Sequence, residues 1–343
     1  MKKFINKKPF IICELSGNHN GKINNAKKLM FLAKKSGADC IKLQTYSPEM
    51  MTLKSLNYKI KEGLWKKRKL WDLYKQAQTP LSWHKELFNY AKKIKIKIFS
   101  TPFSPVALDL LEKLNCPIYK ISSFEMNDHN LVKKVASTKK PMIISTGLAN
   151  LSEIEKTYKI AKKFGCKDIS LLYCVSNYPS TNLDFNLNNI KILKEKFNCE
   201  VGLSDHSVGH EIAEYATILG ATIFEKHIIL PNQKKGFDVK FSLETNKISL
   251  YKKKIINSYQ LIKKEKFYRS NAELSNRIFR RSIYVVENIK KGEIFSEKNI
   301  KSLRPNIGLS SEFYLNLLGK KSLTNLKKNR VLNKNLKVKL KLR

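Results

Sequence analysis

Eight short apolar runs in this chain each end in side chains that carry charge or donate hydrogen bonds. In order, the ends hold Glu14; Lys42 with Gln44; Ser100 with Thr101; Lys120 with Ser122 and Ser123; Ser145 with Thr146; Tyr173 with Ser176; Ser204, Asp205 and His206; and Glu225, Lys226 and His227. A lone Ser or Thr after a strand often caps the next helix. Lysine and histidine are poor caps, so a full set of polar ends points to a shared pocket. Lys42 and Lys120, with the hydroxyls of Thr101, Ser123, Ser145 and Ser204, suit an anion: ammonium groups supply point charge and hydroxyls donate to phosphate or carboxylate oxygens. His206 and His227 end consecutive runs. Two imidazoles with water and a substrate oxygen make a divalent-metal site with open positions, or else a hydrogen-bonded pair without metal. Glu14 at the same level could orient a hydroxyl, activate water, or act as general acid or base, and the residues alone do not choose. His19 is placed to brace the first loop, while His84, His129 and His210 read as structural.

The elements that must position these groups are strands over 10–15, 40–44, 96–101, 118–122, 141–146, 169–174, 200–205 and 222–227. Amphipathic segments lie between them, among them 25–36, 84–95, 105–114, 151–164 and 209–219. Strands alternating with helices imply a parallel sheet. Eight such units over this length imply a closed (β/α)8 (TIM) barrel, whose active site lies where the C-terminal strand ends converge. Two connections are unusual. Residues 46–80 are too long for an ordinary loop and carry two Trp and three Tyr, which reads as a lid or a substrate-binding element. Residues 229–244 follow the last strand and place Asp238 above the same face.

The expected organisation is a barrel domain over 1–266, a polar linker over 267–282 and a small β-rich domain over 283–343. Such a short domain is marginal alone and is expected to dock on a barrel. The chain has 343 residues, 67 Lys and Arg against 28 Asp and Glu, and a net charge of +39. That charge is spread from end to end along solvated faces, so it reads as compositional bias rather than a nucleic-acid footprint, although it would help collect anionic substrates. No apolar run is long enough to span a membrane and the N-terminus lacks a signal-type core, so the expected location is the cytoplasm. The six cysteines show no CxxC pair and read as buried, reduced and inert.

The segments ELSGNHNG, IKLQTY, STPF, YKISSFE, STGLA, GLSDHSVG and EKHIIL occur in this order. As a set they resemble the sialic acid (nonulosonate) synthase family, in which a phosphoenolpyruvate-using barrel precedes an antifreeze-like (SAF) domain; FRRSIYVVENIKKGEIF is similar to that domain's opening. ELSGNHN, the insert LWKKRKLWDLYKQAQTPLSWHKELF, and FSLE after Asp238 are most similar to the family's pseudaminic acid branch. The resemblance implies condensation of phosphoenolpyruvate with 2,4-diacetamido-2,4,6-trideoxy-L-altrose and water, giving pseudaminic acid and phosphate. A divalent metal, Mn2+, Mg2+ or Co2+, would be required. It further implies that Lys42, Thr101, Lys120, Ser123, Ser145 and Ser204 hold phosphoenolpyruvate, that His206 and His227 bind metal, and that Glu14 and Asp238 are catalytic. Tyr178 and Asp238 would face the sugar. Arg304 would reach it from the small domain of a domain-swapped homodimer. Ser176 or Asn177 must serve where the family often has Asn, and Lys67 stands where a Gly is common. The same chemistry on the acceptors of legionaminic or N-acetylneuraminic acid is the nearest alternative. A non-catalytic basic binding protein is the other, and the intact Glu14, histidine and lysine set counts against it.

Overall fold

The computed structural model describes residues 4–5, 9–263 and 266–342. The chain divides into two compact units, Met1–Lys263 and Lys264–Arg343.

In the first unit the strands are β1 (Phe10–Glu14), β2 (Cys40–Thr45), β3 (Lys97–Pro102), β4 (Tyr119–Ile121), β5 (Met142–Ser145), β6 (Ile169–Cys174), β7 (Glu200–Asp205) and β8 (Ile223–Ile229). Each pairs in parallel with the next, and β8 closes on β1, so the sheet is a barrel. These runs are almost continuously apolar because strands covered on both faces have no solvent side. Helices on the outside bury one stripe each. Ile23–Lys35 shows the pattern with Ala26, Leu29, Met30 and Ala33 at helical spacing. His129–Ser137 starts on an Asp128 cap and Leu151–Lys163 on an Asn150–Glu153 capping box, which satisfy the first backbone N–H groups of each helix. Helices Asn189–Phe197, Glu211–Ile218 and Ile248–Ile262 follow β6, β7 and β8.

The long connection after β2 is not unstructured. It holds helices Pro48–Met51 and Leu70–Ala77 and is pinned by a bridge between Lys59 and Lys69. Lys67 there has φ +70, the left-handed region, so a lysine occupies a conformation usually given to Gly. The connection after β8 contains a short strand, β9 (Leu243–Glu244), that pairs with β8 at Ile228 and Ile229.

The last helix of the first unit ends at Ile262, where the barrel domain was expected to run to residue 266, and residues 264 and 265 lie outside the described residues. The stretch read as a polar linker contains a helix, Asn271–Ser275, and a 3-10 turn, Asn276–Phe279. The second unit is a three-stranded antiparallel sheet in the order β11 (Ile300–Leu303), β10 (Ser282–Val285), β12 (Arg330–Val331). It has its own core, with Ile283, Phe295, Ile300, Leu309 and Leu317 buried together.

Candidate functional site

Strand alternation decides which polar end groups meet. On β8, Glu225 and His227 point one way and Lys226 the other, and on β7 Ser204 separates in the same manner from Asp205. The outward pair, Lys226 and Asp205, forms a buried ion pair at 3.0 Å, and Tyr251 of the last helix donates to Asp205 at 3.0 Å. The inward set surrounds a cavity of about 560 Å³ at the C-terminal end of the barrel.

Nine of the twelve residues singled out from the sequence line this cavity: Lys42, Lys120, Ser123, Ser145, Ser204, His206, His227, Asp238 and Tyr178. Glu14 and Thr101 stand just behind its wall. Glu14 is fully buried and ion-paired with Lys42, and Lys42 donates to Thr101 Oγ1 at 3.3 Å. Both therefore reach the cavity through the Lys42 ammonium. Arg304 follows β11 in the second unit and is exposed there.

Glu225 stands between the two lysines, although in the sequence it is one letter of a polar strand end. Its Oε1 lies 3.4 Å from Lys42 Nζ and its Oε2 lies 3.8 Å from Lys120 Nζ. Ser204 Oγ donates to Oε1 at 3.3 Å, and Lys120 also donates to Ser145 Oγ. Burial alone would raise the Glu225 carboxyl, but the ammonium groups of Lys120 and Lys42, helped by His227 and His206, hold it down at about 2. Burial lowers the Lys42 ammonium, and Glu14 and Glu225 more than reverse this, so it is raised. For Lys120 burial wins and the ammonium is lowered, with Glu225 only partly offsetting it.

Gly147 of the STGLA segment lets this cradle close. A Cβ there would sit 2.3 Å from Ser176 Oγ and 2.7 Å from Ser123 Oγ, and Gly147 N donates to Ser123 Oγ at 3.1 Å.

The histidine pair forms the neighbouring sector. The rings of His206 and His227 are 5.4 Å apart between centroids, and Phe241 packs on both, at 5.6 and 4.9 Å. His206 Nδ1 lies 3.0 Å from the Val175 carbonyl oxygen, which leaves Nε2 for another partner. His227 Nδ1 is buried without a hydrogen bond, 3.4 Å from Asp238 Oδ2. Among the described residues no third His, Cys, Asp or Glu joins them as a protein ligand cluster. Two imidazoles with an unsatisfied buried nitrogen fit a divalent ion that keeps most of its positions open. They do not fit a closed structural site.

Cys174, at the end of β6, departs from the inert reading. It lines the cavity, and its Sγ lies 3.8 Å from His206 Nδ1. Burial opposes ionisation of this thiol, yet the His206 imidazole, the Ser123 hydroxyl and Lys120 bring it down to about 7. The other buried thiols, Cys13 and Cys40 among them, are pushed up by burial as expected.

The remaining wall is apolar and comes from the insert over 46–80, with Ile60, Trp65, Leu70, Leu73 and Tyr74 facing the cavity. Trp65 Nε1 donates to the Phe237 carbonyl at 3.1 Å, and its ring packs on Tyr178 at 5.5 Å, joining the insert to the connections after β8 and β6.

Two lysines paired with buried carboxylates, a histidine pair and an apolar wall thus share one barrel mouth. The NeuB family matches residues 29–266, and a SAF domain matches residues 280–336. The chain belongs to the NeuB family. Two synthases of a single Campylobacter jejuni strain are informative relatives. A pseudaminic acid synthase is 45% identical over 94% of this chain and 94% of its own length. An N,N'-diacetyllegionaminic acid synthase is 37% identical over 95% of this chain and 99% of its own length. The crystal structure of an N-acetylneuraminic acid synthetase from Leptospira borgpetersenii, in complex with citrate, superposes with a TM-score of 0.72 at 30% identity, covering 79% of this chain and 90% of that one. No helix among the described residues of this NeuB-family chain is long and apolar enough to cross a membrane.

Proposed function

We propose that this chain condenses phosphoenolpyruvate with 2,4-diacetamido-2,4,6-trideoxy-L-altrose and water, releasing pseudaminic acid and inorganic phosphate. The observation that carries the reading is the single cavity in which the Lys42–Lys120 cradle adjoins the histidine pair and the apolar wall of the insert. The higher identity to the pseudaminic acid synthase than to the legionaminic counterpart of the same strain supports the choice of acceptor, because the two relatives share one genome.

Phosphoenolpyruvate carries a phosphate and a carboxylate, and two lysines with the hydroxyls of Ser123, Ser145 and Ser204 match that charge pattern. Thr101 and Glu14 serve by fixing the Lys42 ammonium. C3 of the enol forms the new bond to the sugar aldehyde carbon, whose oxygen takes up a proton. Water adds at C2 and gives up a proton, and the tetrahedral centre breaks its C–O bond to release phosphate. Holding both substrates in one cavity supplies the proximity term, about 7–11 kcal/mol at best. Glu225, ionised and lining the cavity, would serve the water addition, with Glu14 acting behind it through the Lys42 ammonium.

His206 and His227 would hold a divalent ion, which when bound polarises the aldehyde oxygen as a Lewis acid. Tyr178 stacks on His206 at 4.4 Å and together with Asp238 bounds the space for the sugar. Arg304 would contact the acylated sugar from the partner subunit of a swapped homodimer, donating to an acyl oxygen.

The test is phosphate release from phosphoenolpyruvate with Mn2+, comparing three acceptors: the altrose derivative, its legionaminic counterpart and N-acetylmannosamine. Release with the first alone supports the proposal, and chelation by EDTA should abolish it. Release only with another acceptor keeps the mechanism and overturns the acceptor. No release with any of them overturns the reaction.

A further inference from the structure

We propose that Ser16 is a positioning residue that sets the Asp238 carboxylate for the acceptor sugar; the proposal rests on the reading of the cavity as a synthase site. Three observations converge on this side chain. Ser16 is buried and lines the cavity. Its Oγ donates to Asp238 Oδ2, a residue 222 positions away, while its backbone N–H donates to Glu14 Oε1 at 2.6 Å. Both of these contacts require the turn that follows β1, and there Ser16 has φ +47.

The backbone angle matters most. A non-Gly residue in the left-handed region costs free energy, and Gly is the default occupant. Ser is found there instead, so the hydroxyl returns something that glycine would not. What it returns is the bond to Asp238, because the turn directs the N–H toward Glu14 and the side chain toward Asp238. One residue thereby ties together the two carboxylates that flank the Lys42 and His227 sectors.

Asp238 itself stands on the connection after β8. That connection is fastened from the same first turn by Asn18, whose side chain donates to the Ile228 carbonyl at 2.9 Å and accepts from Asp238 N at 3.3 Å. Asn18 secures the backbone, and the carboxylate still has a free torsion. Oδ2 is taken by Ser16 and faces His227 Nδ1 at 3.4 Å. Oδ1 is thereby assigned to the acceptor, as the oxygen that receives a sugar hydroxyl.

Ser16→Gly and Ser16→Ala test this with the full-length protein. Loss of a hydrogen bond to a charged group predicts a rise of about tenfold or more in the acceptor KM, with the phosphoenolpyruvate KM within about twofold of wild type. Ser16→Gly also relieves the positive φ, so its Tm should equal or exceed that of wild type and stand above that of Ser16→Ala. In a double-mutant cycle, adding Ser16→Ala to Asp238→Ala should raise the acceptor KM no further. An unchanged acceptor KM would overturn the proposal. So would a joint rise of both KM values with a lowered Tm for Ser16→Gly, which is the signature of a merely structural turn. The acceptor used is whichever the wild-type protein turns over, so failure here is distinguishable from an error in the acceptor.

Discussion

Replacing Glu225 by Gln should destabilise the fold and at the same time make phosphoenolpyruvate a stronger stabiliser. The carboxylate is held at about 2 against an ordinary value of 4.5, and that displacement corresponds to about 3 kcal/mol of folding stability at neutral pH. An independent route gives the same scale. Glu225 Oε2 and Lys120 Nζ, 3.8 Å apart, attract by about 4 kcal/mol at an effective dielectric near 20. Lys42 would keep Glu14, but Lys120 would lose its carboxylate and be left with neutral acceptors such as the Ser145 hydroxyl and the Ile121 carbonyl, and an orphaned buried charge costs about 3–5 kcal/mol. Urea unfolding followed by tryptophan fluorescence should therefore show a loss of roughly 3 kcal/mol for Glu225→Gln at neutral pH. The pH dependence has a definite sign. The folded carboxyl is depressed, so its contribution is complete above about 4.5 and is lost as pH falls through about 2. The gap between wild type and Glu225→Gln should stay flat from neutral pH down to about 5 and begin to close only below the ordinary carboxyl value. Phosphoenolpyruvate returns a negative partner to Lys120, so its stabilising effect, about 3 kcal/mol at a hundred times Kd for any single-site ligand, should be larger in the variant than in wild type at equal concentration. A variant as stable as wild type, or a gap that closes between pH 6 and 5, would refute the placement of this carboxylate between two charged lysines.

His227→Ala should leave the far-UV circular dichroism unchanged and lower kcat by about a hundredfold or more at saturating Mn2+, and activity that keeps its metal dependence would remove His227 from the site. Arg304→Ala should raise the acceptor KM by about tenfold with little change for phosphoenolpyruvate, and a selective rise in the phosphoenolpyruvate KM would contradict the proposed role of the second unit. N-ethylmaleimide should inactivate the protein through Cys174, with saturating phosphoenolpyruvate slowing the loss and Cys174→Ser resisting it. Inactivation that survives Cys174→Ser would place the reactive thiol elsewhere.

The barrel was legible because its evidence is local and repeated. Each strand is an apolar run with a polar end, such as Ile169–Cys174 or Glu200–Asp205, and every run expected as a strand is one. The pocket followed from the same repetition. Glu225 has no separate signal in the sequence, where it forms one polar strand end with Lys226 and His227. Strand periodicity separates it, placing Glu225 with His227 inside and Lys226 outside with Asp205. The setting of Cys174 is hidden for a related reason. Burial of a thiol is readable from an apolar run, but its approach to His206 depends on the pairing of β6 and β7. The insert over 46–80 was readable as unusual, whereas its wall of Trp65 and Tyr74 depends on contacts with Phe237 and Tyr178 far along the chain. Nothing in the letters SGNHN shows that Ser16 takes a positive φ or reaches residue 238. Such long-range contacts are set by closure of the barrel, and local propensity does not encode them.

The charge balance within the cavity bears on the chain's excess of lysine. Lys42 and Lys120 are each opposed by a buried carboxylate, so the unliganded cradle is close to neutral at its centre. That arrangement avoids stranding two ammonium groups in a closed barrel, where an unpaired charge is costly. It also means that the cradle attracts a distant anion weakly, because fields from paired charges cancel within a few ångströms. Long-range attraction must then come from the surface, and a net charge of +39 supplies it. On the proposed function, selectivity and capture would be divided accordingly: hydroxyls and paired lysines would recognise phosphate and carboxylate at contact, while the lysine-rich exterior would raise the encounter rate. The division predicts a particular salt response. Raising ionic strength should slow the association of phosphoenolpyruvate much more than it alters dissociation, since a Debye length of about 8 Å at physiological salt screens the exterior but not a buried pair. If dissociation carried the salt dependence instead, the lysines of the cradle would be exposed to solvent, and the buried pairing of Glu14, Lys42, Glu225 and Lys120 would have to be abandoned.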